Sequence, residues 1–166
     1  KYLADQILSR RNIVLVSSEI QSFIAMDFAS RMQMLGYPVQ MNMFGTVASV
    51  IHSAHPENTM VLMISYSGRE KNLIQYARIL AEKKVPLFVF AGAFASPLKK
   101  YADQMIEIGY YKPQPVMAAG VSRTGLQLLF DIVYAIVFNA DYERHMEIIN
   151  AEGESVIPVS ETGEAA

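Results

Sequence analysis

The sequence predicts an α/β fold, a three-layer αβα sandwich around a five-stranded parallel sheet in the flavodoxin-like order 2-1-3-4-5. Three observations predict it. Short apolar runs of strand length recur along the chain, separated by segments whose apolar residues repeat at helical spacing. Most of those runs are continuous, as in a sheet covered on both faces. Of the 166 residues 52% are hydrophobic, with ten Met, a composition that fills two buried faces.

Each element follows from its local pattern. Tyr2 to Arg11 places Tyr2, Leu3, Ile7 and Leu8 on one side, a short amphipathic helix. Ile13 to Val16, bounded by Ser17-Ser18, reads as a buried strand. From Gln21 to Leu35 the residues Ile24, Phe28, Met32 and Leu35 give a helix that Gly36 stops. Val39 to Phe44 alternates as a second strand. Thr46 caps a helix bearing Val47, Val50, Ile51 and Ala54, ended by Pro56. Met60 to Ser65 is the central strand, and Glu70 to Lys83 a helix with the stripe Leu73, Ile74, Ala77, Leu80 and Ala81. Pro86 to Ala91 is a fourth strand, Ser96-Pro97 opens a short helix, and Met105 to Ile108 is a fifth strand. Ser122 to Asn139 is the strongest helix, with Ser122 at its start, and Asp141 to Asn150 adds one more. Residues 151–166 lack periodicity and read as an acidic tail.

The candidate site lies where the central strand turns into its helix. Ser65, Tyr66, Ser67 and Gly68 gather two hydroxyls, a glycine that lets backbone approach a ligand, and the N–H groups of a helix start. Such a loop suits an anion. In an open parallel sheet the ligand crevice lies outside the carboxyl ends of the strands, where the order reverses. In the order 2-1-3-4-5 the loops Ser17–Gln21 and Tyr66–Arg69 flank that point. The plainer reading of the same serines is a tight turn with a helix cap.

Charge and composition exclude other classes. A formal charge of −2 with scattered Lys and Arg lacks the footprint of a nucleic-acid surface. No cysteine is present, which removes disulfides and thiolate chemistry. The most apolar run, Leu126 to Phe138, contains Gln127 and Asp131 and is too short to span a bilayer. No signal-peptide pattern opens the chain, and the expected compartment is the cytoplasm. Lys1 begins directly in a helical pattern without Met, which suggests a piece of a longer protein. His52, His55 and His145 lack metal-ligand spacing and read as surface or helix-end residues; neither a metal nor a cofactor is expected. Asp131, on an apolar helix, calls for a partner if buried. Arg123 suits the cleft or a subunit contact, Tyr110 and Tyr111 an interface, and the methionines core filling. The Leu126–Phe138 run is too apolar to face water all round, so a two-fold homodimer through helices near the termini of the fold is expected.

The stretch ISYSGREKNLIQYARILAEKKVPLFVFAGAFASPLKKYAD resembles the sugar-isomerase (SIS) domain, whose hallmark is a strand ending in Ser-x-Ser-Gly-x-Thr before a helix. Ser96-Pro97-Leu98 with Ala102-Asp103 resembles that domain's SPLAKLAD-like turn. Ser122-Arg123 resembles the Ser-Arg pair of RpiR-type transcriptional regulators, in which an SIS domain follows a helix-turn-helix domain. The likeness spans roughly residues 2 to 150. It implies an SIS domain over 1–150, a DNA-binding domain missing upstream, and contact with DNA only through that domain. The implied role is effector sensing and dimerisation, with a phosphosugar or related carbohydrate derivative as ligand, no catalytic residue and no membrane partner. The implied ligand-binding residues are Ser65, Ser67, Gly68, Arg69, Ser17, Ser18, Glu70 and Ser122.

Two positions depart from the pattern. The first loop, Ser17-Ser18-Glu19-Ile20-Gln21, lacks the glycines of a Gly-x-Gly-x-Ser-like loop, and Glu70 stands where the phosphate-binding Thr is expected. A carboxylate there opposes a phosphate, and Arg69 offsets part of that repulsion. Such a site takes a less anionic effector or none, or keeps a phosphosugar where Arg69 offsets enough of the repulsion. The other functions open to this sequence are an aldose–ketose phosphosugar isomerase using Glu19 or Glu70 as base, and a degenerate domain kept for assembly.

Overall fold

The computed structural model describes residues 1–10, 12–17, 22–42, 47–92, 97–108 and 115–154, with backbone alone for 42, 115–122 and 152–154. In chain order these form α1 (Tyr2–Ser9), β1 (Asn12–Ser17), α2 (Ser22–Met34), β2 (Val39–Asn42), α3 (Val47–Ser53), β3 (Thr59–Ser65) and α4 (Lys71–Glu82). Then come β4 (Leu87–Ala91), a 3-10 turn (Pro97–Lys100), β5 (Gln104–Glu107), α5 (Pro115–Ala140) and α6 (Tyr142–Glu154). All five strands are parallel, in the order β2-β1-β3-β4-β5. The fold class and strand order read from the sequence are the ones observed.

Strand alternation divides the core into two layers. Ile13, Leu15, Met60, Leu62, Ile64, Phe88 and Phe90 pack with α1, α2 and α5, whereas Val14, Val16, Val61, Met63, Leu87 and Val89 pack with α3 and α4. The first layer is built on large rings: Phe28 stacks on Phe130 at 4.3 Å between centroids, and Phe90 meets Phe130 edge-on at 5.2 Å. Burying each such side chain contributes about 1.5–3 kcal/mol. The buried residues of the second layer include no aromatic ring; Val and Ala are mixed there with Ile51, Met63, Leu73, Leu80, Leu87 and Leu98.

Two elements and one residue differ from the sequence reading. α5 begins at Pro115, not at Ser122, so Ser122 lies inside the helix and is no cap. Proline at the first helical position has its φ already set, and Met117-Ala118-Ala119 are good helix formers that carry the turn through Gly120. α6 runs on to Glu154, so the first residues assigned to the tail are helical; residues 155–166 lie outside the described residues. His145 is fully buried rather than at the surface. Its Nδ1 lies 3.0 Å from the Phe138 carbonyl and its Nε2 3.2 Å from the Tyr37 hydroxyl. A carbonyl only accepts, so Nδ1 carries a proton, and in the neutral imidazole Nε2 accepts from the Tyr37 hydroxyl. Burial pushes the Tyr37 phenol above its ordinary value, while Arg144 pulls it back.

α5 buries Leu126, Phe130, Val133 and Val137 and leaves Leu128, Ile132 and Ile136 exposed. Asp131 is not buried: it is about half exposed and pairs with Arg31 at 2.7 Å, and Arg31 also pairs with Asp27 at 2.8 Å. Among the described residues no single helix is long and apolar enough to cross a membrane.

Candidate functional site

Every residue of β3 is buried, and the strand ends on Ser65 between two parallel neighbours. Ile64 is in register with Ser17, the last residue of β1, and Ser65 with Ala91, the last residue of β4. The carboxyl ends of β1 and β3 therefore meet where the strand order reverses, at the crevice that a parallel α/β sheet offers a ligand. The Gly92 N–H donates to the Tyr66 carbonyl at 3.0 Å and ties the loop to the next strand.

The loop closes on itself. Ser65 is fully buried; its hydroxyl donates to the Glu70 carboxylate and accepts the Gly68 N–H at 3.0 Å. Ser67 accepts the Arg69 N–H at 3.2 Å. This tight path requires a left-handed residue, and Gly68, at φ +61°, supplies it without Cβ strain. Glu70 is the N-cap of α4, in extended conformation, with its carbonyl accepting the Ile74 N–H at 3.0 Å. Its carboxylate turns back to Ser65 instead of capping the helix N–H groups, as a Ser or Asp would.

The predicted site residues thus separate into three groups. Ser65 and Gly68 are interior and hold the loop's shape. Ser67 is partly exposed, and Arg69 and Glu70 are exposed beside it at the crevice mouth, with Lys71 next in the chain. Ser17 is buried at the end of β1. Ser18, Glu19, Gln21, Tyr110 and Tyr111 lie outside the described residues, and of Ser122 only the backbone is described.

Arg123 belongs to a different hollow. A cavity of about 370 Å³ between α2 and α5 is lined by Ile24, Arg123, Thr124, Gln127, Leu128 and Asp131. Ile24 sits in the first turn of α2, just past β1. A Cβ on Gly125 would come within 3.1 Å of the Ile108 carbonyl just past β5, so α5 touches the end of β5 here. The hollow therefore lies toward the same end of the sheet as the serine loop. Gln127 and Asp131 were legible only as polar interruptions of an apolar helix; nothing local in the sequence pairs Gln127 with Asp27 or Asp131 with Arg31, each about a hundred residues away. No group of three metal-ligating side chains gathers among the described residues.

The SIS domain family model matches residues 6–136. The chain belongs to the SIS-domain family. No curated protein matches the sequence significantly. Among solved structures, the sugar isomerase domain of an RpiR transcription factor from Sphaerobacter thermophilus superposes with a TM-score of 0.80 at 15% identity, covering 92% of this chain and 84% of that one. The Vibrio vulnificus NanR protein complexed with ManNAc-6P also gives 0.80, at 20% identity. That match covers 95% of this chain but 59% of NanR. A protein of Methanococcus jannaschii, whose structure led to the inference of a 3-hexulose-6-phosphate isomerase function, gives 0.69 at 17% identity and covers 88% and 81%. At 15–20% identity these likenesses show a shared fold.

Proposed function

We propose that this SIS domain binds a carbohydrate derivative at the β3–α4 loop and works as the effector-sensing, dimerising part of an RpiR-type regulator in the cytoplasm. The observation that carries the binding reading is the rigid, self-bonded loop at the strand-order reversal, with Ser67, Arg69 and Glu70 presented at its mouth. The NanR likeness supports a sugar phosphate as the class of ligand, since that protein is complexed with ManNAc-6P. Glu70 sets the preference within the class. Two unit charges about 4 Å apart repel by about 1 kcal/mol in water-like surroundings and about 4 kcal/mol at an effective dielectric of ~20. Glu70 therefore weakens phosphate monoesters relative to neutral sugar derivatives, and Arg69 and Lys71 offset part of that.

The sensing half needs a way to report to a partner. Leu128, Ile132 and Ile136 recur every fourth residue on the outer side of α5, and Phe23 and Met26 are exposed on neighbouring α2. This surface is proposed as the two-fold homodimer contact. Leu128→Asp places a charge in it and should halve the mass seen by light scattering at micromolar concentration; a native chain already monomeric there contradicts the dimer.

The wider set of solved neighbours favours a second reading, an aldose–ketose phosphosugar isomerase. Glu70 is then the only proposed carboxylate base among the described residues, and its attachment to Ser65 holds it in the loop instead of over a sugar carbon. Incubation with an aldose phosphate and assay for the ketose separates the two. Turnover that Glu70→Gln abolishes establishes the enzyme; saturable binding without turnover supports the sensor.

A further inference from the structure

A second cavity, of about 560 Å³, opens at the amino ends of the strands, opposite the serine loop. It is lined by Leu8, Arg10, Gly36, Tyr37, Pro38 and Arg144. Three segments meet there: the end of α1, the turn from α2 into β2, and the first turn of α6. The turn is fixed. Gly36 is left-handed at φ +80°, a Cβ on it would press Ile148 at 3.0 Å, and the Pro38 carbonyl accepts the Ile13 N–H at 3.1 Å. The cavity's volume falls within the range of small-ligand sites.

Two guanidinium groups share this cavity. Arg10 donates through Nη1 to Gln6 Oε1 and, at 3.3 Å, to Ser9, while its Nε is buried with no hydrogen-bond partner among the described residues. A guanidinium is built to pair two of its N–H donors with one oxyanion. Arg144 lies 5.9 Å from the centroid of the Tyr37 ring, and its contact with Asp141 is long, 3.7 Å, and about half exposed. Arg144 also hydrogen-bonds the Tyr37 hydroxyl, and the Asp141 carboxylate weakens the positive field on that side. Leu8, Pro38 and the Tyr37 ring supply an apolar wall.

We propose that this cavity is a second ligand site, in which Arg10 and Arg144 receive the oxyanion, a carboxylate or a phosphate, of a small molecule. It is independent of the serine loop, so either site can exist without the other. The test is a titration of the ¹⁵N-labelled chain, followed through the amides of Gly36, Tyr37 and Arg144, with inorganic phosphate and separately with malonate at constant ionic strength. Saturable shifts at these amides with either probe are expected, and the probe that saturates assigns phosphate or carboxylate. Arg10→Gln and Arg144→Gln should each weaken binding at least about tenfold. Arg10→Lys, which keeps the charge but not the fork, should weaken it less, and Ser67→Ala should leave it unchanged. Shifts that never saturate, or saturation indifferent to both glutamine variants in chains that still give dispersed native spectra, would overturn the proposal.

Discussion

The two ends of this sheet treat their polar groups in opposite ways. At the carboxyl end the Ser65 and Ser67 hydroxyls, the Gly68 and Arg69 N–H groups and the Glu70 carboxylate satisfy one another within one short loop. At the amino end two arginines line an open cavity, and one of them keeps a buried donor without a partner among the described residues. The end that a parallel α/β sheet ordinarily gives to its ligand is thus preorganised and partly neutralised by its own carboxylate. One acidic side chain bonded within the loop gives the carboxyl end a negative charge of its own, whereas two guanidinium groups line the cavity at the amino end.

Changes at the carboxyl end break that contrast most strongly. Glu70→Thr removes the carboxylate and should bind a hexose 6-phosphate at least about fivefold tighter than the native chain by calorimetry, following from a repulsion of about 1–4 kcal/mol at roughly 4 Å. Equal affinities would deny Glu70 its role. Ser65→Ala leaves the Gly68 N–H without its hydroxyl acceptor inside the protein and should cost about 1–3 kcal/mol in urea unfolding. Ser67→Ala, at a partly exposed position, should cost about 0.5 kcal/mol or less, so the pair of serines sharpens the distinction between holding the loop and meeting a ligand.

At the amino end Tyr37→Phe removes the hydroxyl that His145 Nε2 accepts and should cost about 1 kcal/mol. The same phenol gives a pH signature. Its folded value is raised, chiefly by burial, so its contribution is whole below the ordinary value of about 10 and is lost as pH rises through the raised one. Native stability should therefore fall more steeply than that of Tyr37→Phe above about pH 10; parallel pH curves would remove Tyr37 as the cause.

The layer arrangement was legible because both signals it needs are local: continuous apolar strands and helical stripes such as Leu73, Ala77 and Leu80. The loop's place at the order reversal was legible for the same reason. The direction of Ser65 was not read, although strand alternation contains it. Met60, Leu62 and Ile64 face α2 and α5, so Ser65 falls on the α4 side, beneath the helix start where Glu70 can reach it. Contacts between distant segments left no local trace. His145 looked like a surface residue because its partner Tyr37 lies 108 residues earlier, and Asp131 looked orphaned because Arg31 stands on another helix. Arg10 and Arg144 likewise share a cavity only after the chain has wound through every strand.

Whether the β3–α4 loop receives a carbohydrate derivative is decided most directly by mapping backbone amide shifts while the ¹⁵N-labelled chain is titrated with ManNAc-6P. Saturable shifts centred on residues 65–70, sharpened to higher affinity in Glu70→Thr, are the predicted result. Shifts that bypass those residues in both chains, whatever else moves, would contradict it.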